Sequence, residues 1–148
     1  MIEKKLKSIN PKSNIKIRLW DVPSQIEINT IIRKTAQAQI NWIKLDLISR
    51  LSFLKNLAQI LDERSNEMSI LMADEMGKPK KQGKGEIKKC IWLCDYYFNN
   101  SEKVLSNKHV DTEYHDSYVT YRPVGLVFGI MPWNFPFWQV FRFALPSL

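Results

Sequence analysis

The stretch that most constrains the fold lies near the end of the chain, where residues 121–136 read YRPVGLVFGIMPWNFP and residues 137–146 continue as FWQVFRFALP. Residues 124–130 form a short, nearly continuous apolar run rich in β-forming residues, which is typical of a strand buried on both faces. Residues 132–136 contain two prolines and predict a loop. The residues after this loop, 137–145, predict an apolar helix, so the sequence predicts one strand-turn-helix unit here.

Charge is almost absent from this part of the chain, because Arg142 is the only charged residue between positions 123 and 148. The uncharged run up to residue 141 is long enough to cross a bilayer. However, three prolines interrupt it, and Asn134 and Gln139 lie near its centre, where an amide group is costly in lipid. We therefore interpret the run as part of a folded domain and expect no membrane partner.

Helices are predicted upstream of this unit. Ser24 and Glu27 match a capping box at a helix start, and isoleucines follow at helical spacing. A second helix is predicted over residues 45–75, with a break near residues 64–66. It stops before Gly77, which is followed by a proline two positions later.

A third helix is predicted over residues 85–101, and the alternating residues 110–121 predict an extended strand. One strand followed by one helix cannot make a sheet, because a parallel strand needs neighbours and cover on both faces. The sequence therefore predicts the front part of a larger α/β domain.

Composition narrows the class of protein. A length of 148 residues fits one domain at most, and 45% hydrophobic with 25% charged residues is a globular composition. Two cysteines exclude a disulfide framework and a multi-cysteine zinc module. The polar N-terminus shows no signal peptide, so we expect a reducing, cytoplasmic location.

The net charge of +7 invites a nucleic-acid interpretation, but sixteen of the 22 basic residues are lysine and only six are arginine. Arginine is the residue that recognises phosphates and bases in a bidentate manner, so we expect no nucleic-acid partner. One lysine cluster is interpreted as a solvated helix start, with attraction of an anionic partner as the alternative. It comprises Lys78, Lys80, Lys81, Lys84, Lys88 and Lys89.

Cysteine and histidine offer little chemistry in this sequence. Cys90 and Cys94 lie four apart on a helix face but have no further ligand nearby, so we interpret them as core residues, with redox pairing or metal binding as alternatives. His109 and His115 are interpreted as surface residues. No metal site and no Ser/His/Asp triad is predicted.

The loop at residues 132–136 is the best candidate site. Its two prolines fix the backbone around a single amide side chain, Asn134, at the carboxyl end of the predicted strand, where α/β folds place their ligands. An amide NH₂ is a neutral donor that can stabilise a developing oxyanion. The alternative is an asparagine that satisfies backbone groups of its own loop.

Residues 121–146 resemble the aldehyde dehydrogenase superfamily, and most of all its bacterial succinate-semialdehyde dehydrogenase branch. Three further segments resemble the N-terminal helices of that family in order and spacing: residues 50–58 (RLSFLKNLA), 74–79 (DEMGKP) and 86–92 (EIKKCIW). The resemblance covers roughly residues 9–148.

The resemblance implies an α/β fold: N-terminal helices plus the first strand-turn-helix of a Rossmann-like NAD(P)-binding domain, truncated before the catalytic domain. It places residues 1–148 in the N-terminal part of that domain, with about residues 110–121 as an oligomerisation arm. It also implies NAD(P)+-dependent oxidation of an aldehyde to the carboxylate, with succinate semialdehyde as the expected substrate, and a homo-oligomer for the full-length family member. The cofactor that the resemblance implies is NAD or NADP.

The resemblance also assigns site residues. Asn134 matches the family's catalytic oxyanion donor. The cofactor side is assigned to Ile130, Met131, Pro132, Trp133 and Asn134. The substrate side is assigned to Phe135, Trp138, Gln139 and Arg142. Arg142 matches the arginine that binds the distal carboxylate of succinate semialdehyde. The alternative is an arginine whose stem packs and whose head reaches solvent or an internal carboxylate.

In the family, a cysteine thiolate attacks the aldehyde and a glutamate activates the hydrolytic water. The resemblance places both residues beyond Leu148, so we expect the 148 residues alone to be inactive. Three interpretations stay open: part of an active dehydrogenase, an inactive product of a broken gene, or an assembly module that uses the arm at residues 110–121.

Overall fold

The computed structural model describes residues 5–148. Five helices and two small antiparallel sheets follow one another along this part of the chain. In order they are β1 (Lys5–Ile9), β2 (Lys16–Asp21), α1 (Gln25–Trp42), α2 (Leu47–Glu63), α3 (Ser65–Met76), α4 (Lys80–Leu105), β3 (Lys108–His109), β4 (Tyr118–Val119) and α5 (Pro136–Ser147).

The predicted helix boundaries agree with the local chemistry. Ser24 and Glu27 form the predicted capping box at the start of α1. The predicted long second helix is divided at Arg64 into α2 and α3, as expected. Gly77, at φ 73°, ends α3 in the left-handed conformation that glycine adopts without steric cost.

The core lies between α2, α3, α4 and α5. Its buried apolar residues come from one face of each helix: Leu51, Leu54, Ala58, Leu61, Met72, Ile87, Cys90, Leu93, Cys94 and Leu145. The interpretation of the two cysteines as core residues is therefore confirmed. Gly83 allows α4 to approach α3 closely, since a Cβ added there would lie 3.2 Å from the Cα of Ser69.

The prediction of a buried strand at residues 124–130 is wrong for this chain. The segment forms no strand, and Val124, Phe128 and Ile130 are each at least 85% exposed. A strand needs a ladder partner, and none of the described residues pairs with this segment. The prediction of a strand over residues 110–121 is correct only for Tyr118–Val119, which pairs with Lys108–His109.

One helix is longer than the sequence predicted, and one hairpin was not predicted at all. Helix α4 runs from Lys80 to Leu105 instead of residues 85–101. The β1–β2 hairpin was not predicted, although both strands alternate basic and apolar residues over most of their length. The hydroxyl of Ser8 donates to Oε1 of Glu75 at 2.7 Å, which connects this hairpin to α3.

Within residues 5–148, no helix combines the length and apolar character needed to span a bilayer.

Candidate active site

The loop that carries Asn134 leads directly into α5. Pro136 occupies the first position of this helix, where a missing N–H does no harm. Asn134 is exposed, and its backbone carbonyl accepts a hydrogen bond of 3.2 Å from Nζ of Lys78. Its side-chain amide has no hydrogen-bond partner among residues 5–148, so the loop leaves this donor available.

Glu86 of α4 caps the start of α5. Its Oε1 accepts hydrogen bonds from the backbone N–H groups of Phe137 at 2.8 Å and Trp138 at 2.9 Å. These groups lack partners inside the helix, and a carboxylate is favoured at a helix N-terminus. The cap thus comes from a residue about fifty positions away in sequence.

The interpretation of the whole lysine cluster as solvated is wrong for Lys78. Its side chain is 6% exposed, and its Nζ forms an ion pair with Oε2 of Glu86, whose side chain is 1% exposed. Nζ also lies 3.9 Å from the ring centroid of Phe135. A buried ammonium needs such compensation, and here a carboxylate, a carbonyl and an aromatic face supply it.

A cleft of about 530 Å³ opens between α4 and the start of α5. The residues lining it are Lys78, Gln82, Gly85, Glu86, Lys89, Phe135, Trp138 and Gln139. Three of the four predicted substrate residues therefore come together on one cleft, although their role stays a prediction. Nζ of Lys89 lies 3.8 Å from the ring centroid of Trp138, so a second lysine of the cluster belongs to this wall.

Arg142 does not line this cleft. It lies on α5, one helical turn beyond Trp138, and is exposed. Within residues 5–148 its guanidinium has no ion-pair partner, so no internal carboxylate holds it.

The predicted cofactor residues form an extended segment ahead of Asn134. Ile130 is 85% exposed and Trp133 is 76% exposed. Met131 is half-buried, and the backbone at Gly129 lies so close to α5 that a Cβ there would be 2.9 Å from Cε1 of Phe143. The segment is thus held against α5 while its large apolar side chains face outward.

The two cysteines offer no nucleophile in this chain. Burial, with the Glu86 carboxylate nearby, raises the pKa of the Cys90 thiol to about 12, and burial raises that of Cys94 to about 11. Both thiols are therefore protonated near neutral pH and unreactive. Among the described residues, no group of three or more His, Cys, Asp and Glu side chains is arranged to hold a metal ion.

The sequence alone did not identify Glu86, Gln82 or the buried role of Lys78. One signal for Glu86 was present: it is an acidic residue four positions before Cys90 on an otherwise apolar helix face. A carboxylate in such a position has to find a partner, because an unpaired buried charge is very costly.

Comparison with known proteins decides the family. A model of the aldehyde dehydrogenase family matches residues 2–148. This chain belongs to the aldehyde dehydrogenase family. The resemblance that the sequence motifs indicated is therefore confirmed.

Several relatives of this aldehyde dehydrogenase chain are named as succinate-semialdehyde dehydrogenases. The probable succinate-semialdehyde dehydrogenase [NADP(+)] of Synechocystis sp. is 36% identical over 95% of the chain. The succinate semialdehyde dehydrogenase [NAD(P)+] Sad of Escherichia coli is 32% identical over 95% of the chain. The chain spans 31% and 30% of the lengths of these two relatives.

Solved structures confirm the fold class. The succinic semialdehyde dehydrogenase of Streptococcus pyogenes, determined in complex with NADP+, superimposes with a TM-score of 0.91 at 25% identity, covering 95% of this chain and 31% of that one. The solved structure of Gox0499 superimposes with a TM-score of 0.93 at 23% identity, covering 97% of this chain and 32% of that one. At this identity the likeness shows the fold alone. The chain has the N-terminal part of the aldehyde dehydrogenase fold.

Proposed function

We propose that these residues form the N-terminal part of the NAD(P)-binding domain of an aldehyde dehydrogenase that oxidises succinate semialdehyde, or a semialdehyde of similar size, to the dicarboxylate. The observation that carries the proposal is the free side-chain amide of Asn134, presented by a proline-bounded loop beside a cleft lined by Phe135, Trp138 and Gln139.

Asn134 is the proposed oxyanion donor. Attack on an aldehyde carbon moves negative charge onto its oxygen, and a fixed N–H donor near that oxygen lowers the barrier. An amide is neutral and needs no change of protonation to donate. A preorganised donor loses little energy in reorienting during the reaction. A loop whose backbone is fixed by prolines therefore has an advantage over a mobile loop.

The substrate chain is proposed to lie along α5. Phe135 and Trp138 provide apolar walls for the methylene groups, and Gln139 adds a polar group. Arg142 lies eight residues after Asn134, and its unpaired guanidinium is suited to binding a distal carboxylate in a bidentate manner. Lys89, which also lines the cleft, is a second cation that the same carboxylate would meet.

The cofactor is proposed to lie on the other side of Asn134, against Ile130, Met131, Pro132 and Trp133. Ile130 and Trp133 are largely exposed, and apolar side chains without internal partners favour the flat nicotinamide ring and its ribose. NAD(P)+ held by these residues would supply the hydride acceptor for the oxidation. The names of the relatives include NADP(+) and NAD(P)+, which supports NAD or NADP as the cofactor.

Residues 110–121 are proposed as an oligomerisation arm in a homo-oligomer. Tyr114 is 74% exposed and Tyr118 is 57% exposed, and β3–β4 is only two residues long in each strand. Exposed aromatic side chains are enriched at protein interfaces. The same surface supports the alternative of a non-catalytic assembly module.

The test uses a complete enzyme, in which residues 1–148 are followed by the remaining residues of the Escherichia coli relative. Asn134→Ala should lower kcat for succinate semialdehyde by about 10²–10³-fold, the usual loss when one oxyanion donor is removed. Asn99→Ala, on the exposed surface of α4, is the matched control and should leave kcat unchanged. Equal rates for the parent enzyme and Asn134→Ala would refute the donor role.

A further inference from the structure

The start of α5 depends on a residue from another helix. Phe135, at the N-cap position, provides no side-chain hydrogen bond, and Pro136 has no N–H. The next two N–H groups, those of Phe137 and Trp138, both donate to Oε1 of Glu86. One carboxylate oxygen therefore fixes the backbone on the C-terminal side of the Asn134 loop.

The second carboxylate oxygen of Glu86 acts through Lys78 and fixes the loop at Asn134. Oε2 of Glu86 pairs with Nζ of Lys78, and the same Nζ donates to the backbone carbonyl of Asn134 itself. Lys78 is placed there by the left-handed Gly77, which turns the chain between α3 and α4. The pair thus contacts the backbone at Asn134 and again at Phe137 and Trp138.

Stability alone is a weak reason for such a pair. The desolvation of two buried charges offsets most of their attraction, and apolar replacements of similar size are often neutral. The pair differs from an apolar contact in direction: three hydrogen bonds of defined geometry determine where residues 134–138 lie relative to α4. This is the property that an oxyanion donor requires, since a small displacement of a donor greatly lowers the rate.

We propose that the buried Lys78–Glu86 pair is a positioning element for the catalytic loop and holds the Asn134 amide in the orientation needed for oxyanion stabilisation. This inference rests on the proposed function of Asn134. Neither side chain takes part in bond making or breaking. Both act through the backbone of the loop.

The first test measures the loop directly in the complete enzyme. The double variant Lys78→Met with Glu86→Leu keeps the site filled and neutral while removing all three hydrogen bonds. Backbone amide exchange in the peptide covering residues 134–141 should accelerate by about 10-fold or more, since the N–H groups of Phe137 and Trp138 lose their acceptor. The matched control is Glu102→Leu with Lys103→Met, an exposed pair at the other end of α4. It should leave this exchange unchanged, and unchanged exchange in the test variant would overturn the proposal.

The second test separates positioning from a general structural effect. We expect the same double variant to lower kcat for succinate semialdehyde by about 10–100-fold with KM changed by less than about 3-fold. In an Asn134→Ala background it should change kcat by less than about 2-fold, because the group that it positions is already gone. A loss of the same size in both backgrounds would overturn the proposal. Lys78→Arg, which retains the positive charge and N–H donors, should retain more of the rate than Lys78→Met.

Failure of the proposed function has a different signature. If Asn134→Ala leaves kcat unchanged, Asn134 is not the donor, and the exchange measurement still decides whether the pair holds the loop. A double variant that fails to fold is replaced by Glu86→Met, which retains the length of the side chain and removes both carboxylate oxygens. Faster exchange at residues 134–141 in that variant supports the proposal, and parental exchange rates contradict it.

Discussion

Two regions of the molecule contrast in how well the chain covers its own apolar surface. Of the residues that the structure describes, every buried one lies between Leu51 and Ser101, with the single exception of Leu145. We refer to residues 51–101 as the block and to residues 5–50 and 102–144 as the flanks. The flanks contain large apolar side chains as well; many of these are exposed, whereas Phe137, Trp138 and Phe141 of α5 pack against the core.

The difference shows that apolar content alone does not produce a core. Ile26 in α1 is 78% exposed and Phe128 is 85% exposed, whereas Leu61 and Ile87 in the block are at most 2% exposed. Helices of the block find partner faces within the chain, because three of them are joined by short connections and pack against each other. The extended segment at residues 124–130 requires neighbouring strands, which the described residues do not provide.

The largest expected effect concerns the two thiols of the block. With pKa values of about 12 and 11, Cys90 and Cys94 should react with a thiol reagent at pH 7 at least about 10²–10³-fold more slowly than in the unfolded chain, where thiol pKa values are near 8.5. The measurement is the labelling rate with and without denaturant. Fast labelling of the native chain would show that the block opens as easily as the flanks.

The same thiols determine a pH dependence. Their pKa values are raised in the folded state, so above about pH 8.5 the unfolded chain loses protons that the native chain keeps. The free energy of unfolding should therefore fall as the pH rises from about 8.5 through 11.

The raised thiol pKa values also bear on activity. We expect the 148 residues alone to form no NAD(P)H from succinate semialdehyde, since neither cysteine is available as a thiolate nucleophile.

A pair of neighbouring residues in α2 tests the block against exposed surface within one helix. Leu61 is 2% exposed and Ile60 is 46% exposed. Leu61→Ala should lower the free energy of unfolding by about 2–5 kcal/mol through lost burial and a cavity. Ile60→Ala should change it by about 1 kcal/mol or less. Urea unfolding measures both, and similar losses would contradict the observed core.

Substrate choice tests whether an exposed charge on a flank has a function. In the complete enzyme, Arg142→Ala should lower the ratio of kcat/KM for succinate semialdehyde to that for butanal by about 10–100-fold, as expected when a charge-assisted contact of about 1.5–3 kcal/mol is lost. Lys89→Met is the comparison variant, because Lys89 is the cation that lines the cleft. A fall in the ratio with Lys89→Met and not with Arg142→Ala would transfer the carboxylate site to Lys89.

Two glycines of α4 give a smaller effect with opposite signs. A methyl group at Gly83 would lie 3.0 Å from Cε of Met72 and 3.2 Å from the backbone of Ser69, so Gly83→Ala should destabilise the block by about 1–3 kcal/mol. At Gly85 a methyl group meets no atom within 4 Å. Gly85→Ala should stabilise the helix by up to about 1 kcal/mol, since alanine is the better helix former. Thermal unfolding of the two variants checks the sign of each change.

The smallest effect on folding is expected in the flank at residues 124–130. Phe128→Lys should change the free energy of unfolding by no more than about 0.5 kcal/mol, because the side chain is exposed. It should reduce self-association of the 148-residue chain, which we expect from an exposed apolar segment with unpaired backbone groups. Light scattering as a function of concentration measures this. A monodisperse parent chain would contradict the expectation.

Local sequence chemistry determined much of this protein. The capping box at Ser24, the break at Arg64 and the glycine stop at Gly77 were predicted because each depends on a few neighbouring residues. The motif around Asn134 indicated the family for a similar reason: a contiguous segment carries it. These features need no knowledge of how distant parts of the chain meet.

Only the tertiary structure decided which lysine is buried and what Glu86 does. Lys78 is one of several similar lysines in sequence, and its partners at Glu86 and Asn134 are eight and fifty-six positions away. The exposure of residues 124–130 was likewise undetermined, because an apolar run indicates a need for cover without showing whether the cover is present. Burial and ion pairing depend on which helix faces contact each other, and the packing of α3, α4 and α5 determines those contacts.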